Sequence, residues 1–136
     1  LDFSDLGGLA KPMPALGLLF GFATMASIGL PGFANFAGEV MVFFGAFSAG
    51  VPAATGFNAF QITTVIALWG VVISAVYMLR AYRRIFMGPV PERWQSLADI
   101  GTGPRLCIIA LIILLLIAGF YPQLLINTIA PALIRL

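Results

Sequence analysis

Between Pro12 and Leu79 the chain carries one Asp, Glu, Lys or Arg, namely Glu39; between Leu106 and Ile134 it carries none. Runs of that length without charge are the strongest constraint on the fold. At ~1.5 Å per residue the stretch Phe60–Leu79 reaches across the ~30 Å hydrocarbon core of a bilayer, and Leu106–Leu125 forms a second such run. Charged residues total 9% and hydrophobic residues 61%, with a mean hydropathy of +1.07. About a quarter of a soluble domain is charged, so a soluble globular protein and a disordered chain are both excluded. An all-α, polytopic transmembrane bundle fragment with about three crossings is expected. A net charge of +2 is too small to indicate nucleic acid.

The residue inventory removes much chemistry. There is no histidine and a single cysteine, Cys107. Histidine general bases, serine–histidine and cysteine–histidine pairs, zinc sites and cysteine-ligated clusters are therefore not available. Cys107 heads an apolar run and reads as a small buried hydrophobe. Gly101-Thr102-Gly103 precedes Pro104 and lacks the third spaced glycine of a nucleotide cradle, so it reads as a turn. The chain begins Leu1-Asp2-Phe3-Ser4-Asp5, without methionine or a signal peptide. It is expected to be a piece of a longer protein or half of a split one.

The first apolar stretch, 14–50, is interrupted by Gly29-Leu30-Pro31-Gly32. Proline removes an amide donor and clashes with the preceding turn, and flanking glycines loosen the backbone. Gly29, Pro31 and Gly32 therefore mark a break at 29–32. The stretch is either one discontinuous helix or a hairpin of two short spans. Charge favours the first. Basic residues prefer the cytoplasmic side, and a single broken crossing puts Lys11 on the same side as the arginines of the loop 84–105. A membrane helix is expected over 60–83, closing with Tyr77, Arg80, Tyr82, Arg83 and Arg84. Arg80, Arg83 and Arg84, with Lys11, read as topology anchors whose heads snorkel to the interface. The last span is placed at 106–125, with Gly119-Phe120-Tyr121-Pro122 at its interfacial end. Small residues recur four apart (Gly17 and Gly21, Ala23 and Ser27, Ala34 and Gly38), a spacing that lets membrane helices approach closely.

Glu39 is the residue that needs a reason. A charge at bilayer depth costs at least ~2.5 kcal/mol on insertion scales. Glu39 follows the break within the first turns of the second half-helix. Desolvation there favours the neutral acid, while unpaired amides of the half-helix favour the anion. With the two opposed, a proton can be held or released within a small range of free energy. Broken backbone also recruits water where it lines a cavity. Asn35 lies one turn earlier on the same face. Thr24 and Ser27 could extend a water chain, or could equally bond carbonyls of their own helix. Glu39 and Asn35, with Thr24 and Ser27 as weaker members, form the candidate proton path.

The run Gly7-Gly8-Leu9-Ala10-Lys11-Pro12-Met13-Pro14, followed by Ser27 to Glu39 (Ser-Ile-Gly-Leu-Pro-Gly-Phe-Ala-Asn-Phe-Ala-Gly-Glu), resembles the antiporter-like membrane subunits of respiratory complex I, the proton-pumping NADH–quinone oxidoreductase. Within that family the likeness is to the M-type, or chain 4, branch, and Gly119-Phe120-Tyr121-Pro122-Gln123 extends it into the final helix. The resemblance implies two inverted five-helix repeats in the parent, each with one broken helix, of which this chain would hold the second and the helices after it. It implies that Glu39 matches the proton-channel acid of that helix, where L- and N-type subunits carry lysine. The family's glutamate–lysine pair and central lysine would lie upstream. NADH, FMN, iron–sulfur clusters and quinone would belong to other subunits, with no cofactor or metal in this chain. Partners would be the rest of the parent subunit, neighbouring L- and N-type subunits, lipid and protons. The expected location is a membrane, crossed several times, in particular the bacterial inner membrane. The alternatives are a segment of a cation/proton antiporter or membrane-bound hydrogenase, and a structural or assembly segment without transport.

Overall fold

The computed structural model describes residues 6–49 and 56–133. The lead-in at 1–5 and most of the loop expected at 51–58 lie outside the described residues, as does Gly50 at the end of the first stretch. Every regular element among the described residues is helical: α1 (Pro14–Ser27), α2 (Ala34–Ser48), α3 (Ala59–Phe86), α4 (Thr102–Phe120) and α5 (Gln123–Leu133), with a short 3-10 turn at Glu92–Trp94. The fold is thus an all-α bundle, and α3 and α4 are each long and apolar enough to cross a membrane.

The segment between α1 and α2 distinguishes the two architectures left open by the sequence. α1 stops at Ser27, and Gly29 and Gly32 take φ of 70° and 101°. L-side chains rarely adopt such values, so glycine ends the helix there. Contacts along α3 give the direction. A Cβ at Gly17 would lie 3.3 Å from the Phe86 ring, and one at Gly21 would lie 3.1 Å from the Tyr82 hydroxyl. Val40, Phe43, Phe44 and Phe47 share a groove with Thr64 and Leu68, and Asn58 Nδ2 donates to the Ala49 carbonyl at 3.3 Å. Rising positions on α1 and then α2 meet falling positions on α3. The pair therefore runs as one interrupted rod antiparallel to α3, not as a hairpin.

On the other side the same rod runs beside α4 and α5. Ala15, Leu18, Leu19 and Phe22 meet Arg105, Ile109, Ile112 and Ile113. Ala34, Ala37, Gly38 and Met41 meet Ala118, Pro122, Leu125, Ile126 and Ile129. The span expected over 106–125 is interrupted at Tyr121–Pro122, and α5 carries on beside α2. Proline at 122 supplies the interruption. Gly119 does not sit at a bundle end: it packs on the backbone of Gly32 and Phe33. The two interruptions therefore touch. The loop placed at 84–105 is shorter than expected, because α3 runs on to Phe86 and α4 starts at Thr102, with Gly101 as its N-cap. Cys107, expected to be buried, is exposed in this chain.

One end of the bundle is closed by polar backbone pairing. The amides of Gly8, Leu9 and Ala10 donate to the carbonyls of Met87, Ile85 and Phe86 at 3.0, 3.2 and 3.1 Å. These are carbonyls at the C-terminus of α3, where a helix leaves acceptors unpaired. Beneath them Phe20, Tyr82 and Phe86 form an aromatic cluster, with Phe20–Phe86 and Tyr82–Phe86 centroids 5.2 and 5.3 Å apart. Tyr82 lies over the Gly17/Gly21 face and donates its hydroxyl to the Gly17 carbonyl at 3.2 Å. At the far end Asn58 caps α3 in a reciprocal box with Gln61.

Candidate functional site

Glu39 occupies the second turn of α2, whose N-cap is Phe33. Helix side chains lean toward the N-terminus, so its carboxyl group reaches back to the break. It packs against Gly29: a Cβ there would collide with Oε2 and lie 2.9 Å from Cδ and 3.0 Å from Oε1. The side chain is half-buried. Its neighbour Val40 shares a groove with Thr64, in the second turn of α3, and Leu68, near the middle of that helix's uncharged run. The acid thus lies alongside the interior of α3 and adjoins the turn that separates α1 from α2.

The remaining residues of the candidate path are placed differently. Positions 34, 37, 38 and 41 of α2 face α4 and α5, and 40, 43, 44 and 47 line the groove with α3. At ~3.6 residues per turn the third stripe carries Asn35, Glu39, Val42 and Ala46. Among the described residues no other helix packs along that stripe, and Val42 is 66% exposed. Asn35 is exposed and makes no hydrogen bond to Glu39 among the described residues. Thr24 is 2% exposed and donates to Phe20 Oin its own helix at 2.8 Å. Of the two roles open to it, the internal bond takes its proton. Ser27 ends α1 and is exposed.

Lys11 lies beside Pro89, Val90 and Gln95, and Arg80, Arg83 and Arg84 line an adjoining groove with Gly7 and Pro89. The four cations therefore share one end of the bundle, as a single broken crossing requires. No group of three or more metal-ligating side chains occurs among the described residues.

Two features were not anticipated from the sequence. Thr64 is 4% exposed and donates to the Phe60 carbonyl at 2.7 Å, which puts a second satisfied hydroxyl near the level of α2. Asp99, from the loop before α4, accepts from the amides of Ala15 at 2.8 Å and Leu16 at 3.2 Å, and from Ile100 at 2.8 Å. It caps α1, whose own N-cap residue Met13 has no side chain for the task. Partial burial pushes the Asp99 carboxyl up; the three amide donors and nearby Arg105 outweigh that and hold it below its ordinary value. The sign follows from linkage: a lowered carboxyl stabilises the fold above the ordinary carboxylate range and loses that contribution as pH falls through the folded-state value. Asp99→Ala should lower the thermal midpoint of the protein in detergent at pH 7, and the difference from the unsubstituted sequence should shrink as the medium is acidified below ~4. An equal deficit at both pH values would show that the charge of Asp99 is not what holds α1.

A family profile described as NADH:quinone oxidoreductase/Mrp antiporter, TM, matches residues 1–79. NADH-quinone oxidoreductase subunit M of Rhodobacter capsulatus is 36% identical over 139 residues, covering 99% of this chain and 25% of that protein. Subunit M of Mycobacterium tuberculosis is 38% identical over 131 residues, covering 96% and 22%. Subunit M of Escherichia coli K12 is 36% identical over 132 residues, covering 93% and 23%. The chain spans about a quarter of the length of the curated relatives it matches.

Proposed function

We infer that this chain, which belongs to the NADH:quinone oxidoreductase/Mrp antiporter transmembrane family, is a segment of an M-type, proton-translocating membrane subunit in which Glu39 exchanges protons along a polar axis. One observation carries the reading: the only acid between Pro12 and Leu79 sits just past the break with its carboxyl group packed against Gly29. An acid at such depth is expensive and marks an ion or proton pathway by default. Broken helices supply the backbone dipoles with which transport sites are built.

The stripe bearing Asn35, Glu39, Val42 and Ala46 faces away from the rest of this chain. The remainder of the parent subunit would cover it, so that Glu39 looks into protein and not into lipid. Asn35, four residues from Glu39 on that stripe, would help carry water to the acid; Ser27 would contribute at the end of α1, and Thr24, whose proton goes to the Phe20 carbonyl, would offer only an acceptor. Lys11 and the arginines of α3 would lie on the cytoplasmic side of a bacterial inner membrane crossed several times. NADH, FMN, iron–sulfur clusters and quinone would be held by other subunits, and L- and N-type subunits would be lateral neighbours. Redox energy would reach Glu39 through conformational or electrostatic coupling.

The family description also names Mrp antiporters, which keeps a cation/proton antiporter as the second reading. The test is Glu39→Gln in the full parent subunit within its assembled complex. Proton yield per electron in membrane vesicles should fall while assembly persists. An unchanged yield would leave Glu39 as a structural acid. Proton transport driven by a sodium gradient, with no dependence on electron flow, would favour the antiporter.

A further inference from the structure

We propose that Gly29 is a positioning residue for Glu39: the absence of a side chain at position 29 creates the niche that holds the Glu39 carboxyl group at the break. This goes beyond the role of Gly29 in interrupting the helix, and its functional consequence rests on the reading of Glu39 as the proton-exchanging acid.

Three observations carry it. Each of the three atoms nearest to a Cβ built on Gly29 belongs to the Glu39 carboxyl group, Oε2, Cδ and Oε1. The other left-handed glycine of the break, Gly32, has the Phe120 ring as its neighbour at 3.3 Å instead, so contact with the acid is a property of position 29 and not of the break as a whole. The backbone at Gly29 is itself fixed: its amide donates to Ala26 O at 3.3 Å, and the next amide, Leu30, donates to Met25 O at 3.2 Å. The niche wall therefore cannot easily retreat. An added methyl group would displace the longer, more mobile partner, turning the carboxyl group away from the break toward the seam between α2 and the remainder of the parent subunit, where an apolar reagent partitions. A residue with φ of 70° also resists any Cβ, so one atom serves both needs: it ends α1 and leaves room for the acid.

Shortening the acid should undo crowding but not backbone strain, and that separates the two roles. In the full parent subunit within its complex, Gly29→Ala should reduce proton yield per electron severalfold. The double variant Gly29→Ala with Glu39→Asp should recover most of the yield, because one methylene fewer withdraws the carboxyl group from the new methyl. Labelling of position 39 by an apolar carbodiimide, read by mass spectrometry, should rise severalfold in Gly29→Ala. That arm does not pass through proton transport. Normal pumping in Glu39→Gln would sink the proton role, while the niche would still stand or fall on labelling. If Gly29→Ala prevents assembly, recovery of assembly in the double variant supports the niche. A double variant no better than Gly29→Ala, or labelling unchanged by it, overturns the proposal.

Discussion

Alanine at Gly119 is expected to separate α4 from the broken helix and to lower the stability of the parent subunit by about 3 kcal/mol, at the upper end of the usual range for overpacking. The reason lies in what the methyl would meet. Its neighbours are all main chain: the Gly32 carbonyl oxygen, the Phe33 carbonyl carbon at 2.5 Å and the Gly32 carbonyl carbon at 2.6 Å. A side chain can rotate out of the way; a main chain pinned by proline and two left-handed glycines must move as a unit. Helix propensity runs the other way, since alanine is favoured over glycine by about 1 kcal/mol in a helix interior. Gly70→Ala in α3, where a Cβ meets nothing within 4 Å, provides that comparison and should be neutral or slightly stabilising within this segment. The measurement is the amount of assembled parent subunit in membranes, with its thermal midpoint in detergent. Wild-type assembly in Gly119→Ala would mean that the two interruptions do not touch.

The second large effect is expected at Gly8. Its φ is 62°, and a Cβ would lie 2.6 Å from the Gly88 carbonyl oxygen and 2.9 Å from Pro89 C and Val90 Cγ2. A left-handed residue with a side chain costs about 1–2 kcal/mol, and the crowding adds to it. Gly8→Ala should therefore lift the 7–11 segment from the end of α3. Three amide donors would leave the carbonyls of Ile85, Phe86 and Met87. Faster proteolytic nicking between residues 88 and 100 is the expected readout, together with a lower thermal midpoint. Unchanged cleavage would show that the pairing contributes little to closing this end.

Local chemistry made parts of this architecture legible in the sequence. Uncharged runs identify spans because bilayer thickness is fixed, and Gly29-Leu30-Pro31-Gly32 identifies a break because proline and glycine act on their own backbone. Charge on Lys11 and the arginines of α3 argued for one broken crossing, and the contacts of α1 and α2 along α3 agree. Other features depend on residues far apart in the chain. Asp99 caps a helix 84 positions away, and nothing adjacent to it in sequence points there. Pro122 was taken as the end of a span, because its local effect is the same whether the chain then leaves the membrane or continues beside α2. The capping pair Asn58 and Gln61 could have been found from their spacing alone. For Glu39, its place just past the break followed from the sequence, but its fold-back onto Gly29 required the backbone angle at that glycine.

The meeting of the two interruptions, Gly29–Gly32 on one side and Gly119–Pro122 on the other, has a consequence of its own. Hydrocarbon offers no solvation to a peptide group that has lost its helical partner. Two such interruptions side by side bring peptide groups outside the regular helical ladder to one level, edged by Glu39. Admitting a water molecule is cheapest at that level, so hydration of this segment should start there and spread outward.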